Sequence, residues 1–216
     1  MNKTDLKLYA ITDRQWLHGA RLSEHVKLAI EGGATMIQIR DKDILSTDSD
    51  AGLKDEYSEA LEIKRICHKH KVPLIINDNV QFAIDIDADG VHLGQDDMNP
   101  AEARKLLGTD KIIGVTAKTV EQAKKAQADG ADYLGSGAVF DSTTKLNAKP
   151  MTKELLREIT SAVDIPVVAI GGINADNAST LKGTGIAGIA VVGAIFASAD
   201  IKAAAKELAE ICDKIL

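Results

Sequence analysis

Eight short aliphatic runs punctuate the chain: Leu8–Thr12, Thr35–Arg40, Pro73–Asn77, Gly90–Leu93, Lys111–Thr116, Ala131–Gly135, Pro166–Ile170 and Gly188–Val192. Most are continuously apolar, as in Leu74-Ile75-Ile76 and Val167-Val168-Ala169-Ile170. Such runs fit strands covered on both faces, the situation of a parallel sheet under helices. Between the runs the apolar spacing changes to three and four. Leu22, Val26, Ala29 and Ile30 predict a helix over Leu22–Ile30. Further helices are predicted over Leu53–His70, Ala101–Leu107, Val120–Ala128, Thr152–Ala162, Asp176–Lys182 and Ile201–Ile215. Pro100 suits a first helical turn, where its missing N–H costs little.

Strict alternation of strand and helix selects an α/β architecture. Eight units in 216 residues leave about 27 residues each, enough for a strand, a helix and two short loops. Eight parallel strands close into a (β/α)8 TIM barrel and leave no exposed sheet edge. No linker divides the chain, so residues 1–216 are expected to form a single domain. Gly32-Gly33-Ala34, Asp87-Ala88-Asp89-Gly90, Asp129-Gly130-Ala131-Asp132 and Gly185-Ile186-Ala187-Gly188 each precede a strand. They read as turns at the structural pole of the barrel. Lys42–Asp55 is the longest polar stretch and reads as a mobile loop after the second strand, either a lid or a solvated insertion.

Composition narrows the function. Aromatic residues make up only 3%, so the core is aliphatic. A net charge of −6 argues against a nucleic-acid coat, which needs a basic face, but it leaves room for an anionic substrate held by local cations. Cys67 and Cys212 offer neither a disulfide framework nor metal-ligand spacing. No apolar run approaches a membrane span, and Met1–Lys7 is polar. A cytoplasmic location is the expectation.

Chemistry in this architecture sits where the strands end. In chain order those ends supply Thr12-Asp13, Gln38 with Arg40-Asp41-Lys42, Asn77-Asp78, Gly94-Gln95-Asp96-Asp97 and Thr116. They continue with Gly137 and Ser142-Thr143-Thr144-Lys145, Gly171-Gly172, and Gly193. Asp78 and Asp97 follow neighbouring strands, so their carboxylates can approach one another. Adjacent carboxylates repel unless one is protonated or a cation lies between them, and oxygen ligands of this kind suit Mg²⁺. The competing reading makes each aspartate a helix N-cap. Arg40, Lys42 and Lys145 would add positive charge to the same rim, appropriate to a diphosphate. Glycines after the seventh and eighth strands allow a close backbone approach to a second, monophosphate group, or serve as packing corners. His92, between Val91 and Leu93, reads as a hydrogen-bonded core histidine.

The residues also carry a family resemblance. Leu8-Tyr9-Ala10-Ile11-Thr12-Asp13, Gln38-Ile39-Arg40-Asp41-Lys42, Ile76-Asn77-Asp78, Gly90-Val91-His92-Leu93-Gly94-Gln95-Asp96-Asp97, Thr143-Thr144-Lys145, Ala169-Ile170-Gly171-Gly172-Ile173 and Val191-Val192-Gly193-Ala194-Ile195 occur in order along nearly the whole chain. In this the chain resembles the thiamine-phosphate synthase family, also called thiamine-phosphate pyrophosphorylases. The resemblance implies a transferase that joins a hydroxymethylpyrimidine diphosphate to a thiazole monophosphate, forming thiamine phosphate and diphosphate with Mg²⁺ as cofactor. It implies that Gln38, Arg40, Lys42, Asn77, Thr116 and Lys145 hold the pyrimidine diphosphate, with Arg40, Lys42 and Lys145 assisting its departure. It implies that Asp78 and Asp97 ligate the metal. Ser142, Thr143, Thr144, Gly172, Val192 and Gly193 would contact the thiazole phosphate.

Three positions depart from the family pattern. Val115-Thr116-Ala117-Lys118 stands where the family carries Val-Ser-x-His, and Gly193 stands at a usual Ser. The expected partners are small molecules, and a homo-oligomer is compatible with the sequence. Competing readings are a thiazole tautomerase of a related barrel, a non-catalytic thiamine-phosphate binding module and a phosphosugar isomerase.

Overall fold

The computed structural model describes residues 2–40, 50–140 and 150–216. Eight strands form a closed parallel barrel in sequence order: β1 (Leu8–Ile11), β2 (Met36–Ile39), β3 (Leu74–Asn77), β4 (Gly90–Leu93), β5 (Ile112–Thr116), β6 (Tyr133–Gly137), β7 (Val167–Ile170) and β8 (Gly188–Val191). The helices are α1 (Leu22–Glu31), α2 (Asp50–His70), α3 (Val80–Asp85), α4 (Pro100–Leu107), α5 (Val120–Ala128), α6 (Lys153–Ala162), α7 (Gly193–Phe196) and α8 (Ile201–Ile215). Short 3-10 turns occupy Lys3–Leu6, Arg14–Trp16 and Ala178–Leu181. The expected single (β/α)8 barrel is the fold observed.

Strand alternation divides the apolar residues into two cores. Leu8, Ile37, Leu74, Val91, Ile113, Leu134 and Ile189 face outward and pack under the helices. Tyr9, Met36, Ile75, Ile112, Tyr133, Val168 and Ala190 face inward, with Leu6 beneath them. Each strand is therefore buried on both sides, which is why its sequence reads as a continuous apolar run. The same alternation places Gln38, Asn77, His92 and Thr116 on the inward parity, near the C-terminal ends of four consecutive strands.

The αβ turns at the opposite pole repeat one construction. Ala34, Ala88 and Ala131 donate their N–H groups to Ala29, Ala83 and Ala126 at 3.0, 2.8 and 3.0 Å. The residue before each of these alanines has positive φ: Gly33, Asp87 and Gly130. Next, a polar side chain accepts a backbone N–H from the first two residues of a neighbouring strand. Thr35 takes Leu8 N–H at 2.9 Å, Asp89 takes Leu74 at 2.8 Å and Asp132 takes Ile113 at 2.8 Å.

Four details differ from the sequence expectation. α3 and α7 are additional helices, and their six and four residues are too few to establish a helical period. The segment expected as helix over Asp176–Lys182 is instead the 3-10 turn Ala178–Leu181, preceded by Asn174, whose side chain accepts from the N–H groups of Asp176 and Asn177. β6 starts two residues later than expected, so Gly137 ends the strand rather than following it. Finally, α2 begins at Asp50, inside the segment expected to be a loop. The remainder of that loop, including Lys42, lies outside the described residues, as do Ser142, Thr143, Thr144 and Lys145.

Candidate active site

At the C-terminal mouth, β2 leads through Gln38 to Arg40. The Arg40 N–H donates to Thr12 Oγ1 at 3.1 Å, while Thr12 N–H donates to the Gln38 carbonyl at 2.9 Å. These bonds extend the β1–β2 ladder and fix the start of the Arg40 side chain. β3 ends at Asn77, and Asp78 follows with φ +61°, an uncommon value outside glycine. Its N–H still continues the ladder, donating to the His92 carbonyl at 2.8 Å. Backbone strain of this kind is concentrated at binding and catalytic sites.

Neither candidate metal-binding aspartate caps a helix. Asn79 caps α3, accepting the Phe82 N–H, and Asn99 caps α4, accepting the Ala101 N–H. Asp97 instead accepts the Gly94 N–H at 2.6 Å, and Asp78 accepts from Asn77 Nδ2 at 2.6 Å. The two carboxyls also meet each other. Partial desolvation, together with hydrogen bonding to and repulsion by Asp97, raises the Asp78 pKa to about 6; Asn77 and Arg40 oppose the rise. This all-oxygen pair has the chemistry that suits Mg²⁺, which takes one or two carboxylates and completes its shell with water and phosphate oxygens. Among the described residues, no three His, Cys, Asp or Glu side chains form a metal-binding group.

Below the mouth lies a polar layer. The Tyr9 and Tyr133 hydroxyls meet at 2.8 Å across the lumen, with the rings edge-to-face and their centroids 5.9 Å apart. Gln38 Nε2 donates to Tyr9 Oη at 2.6 Å. His92 Nδ1 lies 3.0 Å from Tyr133 Oη, and its Nε2 lies 3.0 Å from Thr116 Oγ1. His92 is thus hydrogen-bonded at both nitrogens, as its sequence position suggested. Burial pushes its pKa down to about 4, so the ring is neutral at physiological pH. Gln95 adds a bond from Nε2 to the Thr116 carbonyl at 2.5 Å.

The opposite rim is made of backbone. Gly171 and Gly172 both have positive φ, and Asn177 Nδ2 holds the Gly172 carbonyl at 2.8 Å. Val192 leads into α7, whose first residue is Gly193. The N–H groups of Gly172, Gly193 and Ala194 have no acceptor among the described residues. Exposed donors of this kind suit an anion. Gly193 also makes room for Trp16: a Cβ there would stand 3.2 Å from Cη2 of the indole. The space that a serine side chain would need is therefore taken by an aromatic ring from the first βα loop.

The mouth brings together Gln38, Arg40, Asn77, Asp78, Asp97 and Thr116, with Gly172, Val192 and Gly193 on the β7–β8 rim. Sequence reasoning missed Tyr9, Tyr133 and Trp16. The first two share the inward parity of the site residues, and that was the available signal.

Comparison with known proteins places the chain in a family. Residues 8–195 match the family model described as thiamine monophosphate synthase. A curated thiamine-phosphate synthase of Ruminiclostridium cellulolyticum is 49% identical over 210 residues, covering 97% of each chain. One from Clostridium tetani is 47% identical and covers 94% of each. The solved thiamine phosphate pyrophosphorylase of Pyrococcus furiosus superposes with a TM-score of 0.87 at 38% identity, covering 99% of this chain and 98% of that one. With a matched motif order, a shared barrel and near-complete mutual coverage, the chain belongs to the thiamine monophosphate synthase family.

Proposed function

We propose that the protein condenses 4-amino-2-methyl-5-hydroxymethylpyrimidine diphosphate with 4-methyl-5-(2-hydroxyethyl)thiazole phosphate, giving thiamine phosphate and diphosphate. The observation that carries this reading is the meeting of Asp78 and Asp97 beside Arg40, on the same mouth as the β7–β8 rim, whose N–H groups have no acceptor among the described residues. Two anionic groups can thus be held at one opening, as a reaction between two phosphorylated substrates requires.

Gln38 and Thr116 hold the pyrimidine at the floor of the mouth, and Asn77 and Arg40 direct its diphosphate toward the carboxylate pair. Asp78 and Asp97 are the ligands offered to Mg²⁺, which when bound neutralises charge on the diphosphate. Lys42 and Lys145 are assigned to the same diphosphate from their motifs. The bond between the methylene carbon and the diphosphate oxygen breaks with both electrons leaving on oxygen, so positive charge at that rim stabilises the leaving group. The thiazole nitrogen then donates its lone pair to the electron-poor methylene carbon. Gly172, Val192 and Gly193, with Ser142, Thr143 and Thr144, hold the thiazole phosphate so that this nitrogen is presented in line. No enzyme nucleophile is required.

The test is a steady-state assay of the purified protein with both substrates and Mg²⁺. Formation of thiamine phosphate that needs all three components is the expected result. Absence of product at high enzyme concentration overturns the proposal. Metal-independent proton exchange on the thiazole substrate would instead favour the tautomerase reading.

A further inference from the structure

We propose that Tyr9, Tyr133 and His92 form a one-directional hydrogen-bond relay that gives the two ends of the pyrimidine site opposite polarity, making Gln38 an acceptor and Thr116 a donor. This rests on the assignment of Gln38 and Thr116 to the pyrimidine. The three relay members are positioning residues that act through the groups at the ends.

The relay crosses the lumen through five strands, in the order β2, β1, β6, β4 and β5. Its direction follows from counting protons. The Gln38 amide nitrogen donates to Tyr9 Oη. The single Tyr9 hydroxyl proton is then available for the oxygen of Tyr133, at 2.8 Å. The Tyr133 proton in turn meets His92 Nδ1. With Nδ1 accepting, the neutral ring carries its proton on Nε2 and donates to Thr116 Oγ1. Thr116 therefore keeps its own proton for a ligand. At the other end Gln38 Oε1 is left to accept, since Gln38 makes no other side-chain hydrogen bond among the described residues. An acceptor and a donor facing one planar ring match an exocyclic amine and a ring nitrogen.

The barrel interior is shaped around this relay. A Cβ at Gly114 would stand 2.1 Å from Tyr133 Cζ and 2.3 Å from its Oη. A Cβ at Gly135 would come within 3.1 Å of His92 Cε1. Two inward strand positions thus lack side chains where the Tyr133 and His92 rings lie. Tyr9 and Tyr133 are completely enclosed, so an unpaired hydroxyl there would carry a desolvation cost.

The test reads the His92 tautomer in protein carrying ¹⁵N-labelled histidine, using two-bond ¹H–¹⁵N correlations and identifying His92 by the resonance that disappears in H92N. The expected result is the Nε2–H tautomer at neutral pH without any ligand. An Nδ1–H tautomer overturns the proposal, and this outcome is independent of whether the protein makes thiamine phosphate. The second arm is a kinetic cycle. Y133F and T116V should each lower kcat/KM for the pyrimidine diphosphate about tenfold, as for loss of one hydrogen bond that acts in the transition state, with KM for the thiazole phosphate unchanged. The double variant should be no worse than either single one, and T116S should retain activity. Fully additive losses would mean that Tyr133 does not act through Thr116, and would overturn the relay.

Discussion

The two poles of the barrel treat aspartate in opposite ways. At the N-terminal ends of the strands, Asp87 is held by Lys64 and Lys111, and Asp129 by Lys125. Asp132 pairs with Arg104 while also accepting a strand N–H. Hydrogen bonding to lysine lowers the pKa of Asp87 to about 2 and also lowers that of Asp129. At the C-terminal ends, Asp78 meets Asp97 and its pKa rises. One pole lowers the energy of the folded chain. The other keeps charge imperfectly compensated, an arrangement that an added cation can exploit. Substitution at the two poles should therefore separate stability from turnover.

The largest effect is expected at the carboxylate pair. D78N and D97N each remove a charge, and asparagine tolerates the positive φ of residue 78. Turnover should fall at least ~100-fold in either variant, as when a group supporting transition-state charge is lost. Thermal unfolding should occur no lower than in the parent, because a repulsion has been relieved. An unchanged rate contradicts the metal-site assignment, and a large drop in Tm would erase the contrast between the poles.

Arg104 gives the converse case. Its guanidinium donates to the carbonyls of Gly108, Lys111 and Gly130 and to Asp132. R104A should cost about 2 kcal/mol, at the level of charge-assisted hydrogen bonds in a partly exposed setting. For a chain of this size that lowers Tm by roughly 4–8 °C. Turnover below the transition should be unchanged, measured by the same assay alongside calorimetry.

These contrasts also indicate what a sequence exposes. The barrel was legible because continuous apolar strands have few alternatives to a covered parallel sheet. Arg40, Asn77, Asp78, Asp97 and Thr116 were legible because polar residues at the ends of such strands converge on one mouth. Tyr9 and Tyr133 were hidden because a tyrosine within an apolar run reads as core; its hydroxyl becomes informative only when the partner across the lumen is known. Trp16 and Gly193 are 177 positions apart in the chain, and their mutual fit appears only in three dimensions.

That fit gives the next prediction. G193S adds a side chain 3.2 Å from the indole, so Trp16 must shift. A cost of about 1 kcal/mol is expected, at the low end for overpacking because Trp16 is only partly buried. Trp16 is the only tryptophan in the chain, so intrinsic fluorescence reports it directly. The emission should change in G193S, and KM for the thiazole phosphate should change more than KM for the pyrimidine diphosphate. Unaltered emission would mean that the ring does not occupy the space beside residue 193.

The smallest effect belongs to Asp87, at the structural pole. Its folded pKa lies below that of an unfolded aspartate, so its ion pairs stabilise the fold above about pH 4 and lose that contribution as pH falls through about 2. The side chain is 73% exposed, which limits the gain to the ~0.2–1 kcal/mol of a surface pair. D87N isolates the charge, because asparagine also accepts the φ of +51° found there. At neutral pH and low salt the variant should melt about a degree or two lower. The gap should close as pH drops toward 2, and it should also narrow in high salt, where exposed charges are screened. A gap that persists in acid would assign the effect to the αβ turn and not to the two lysines.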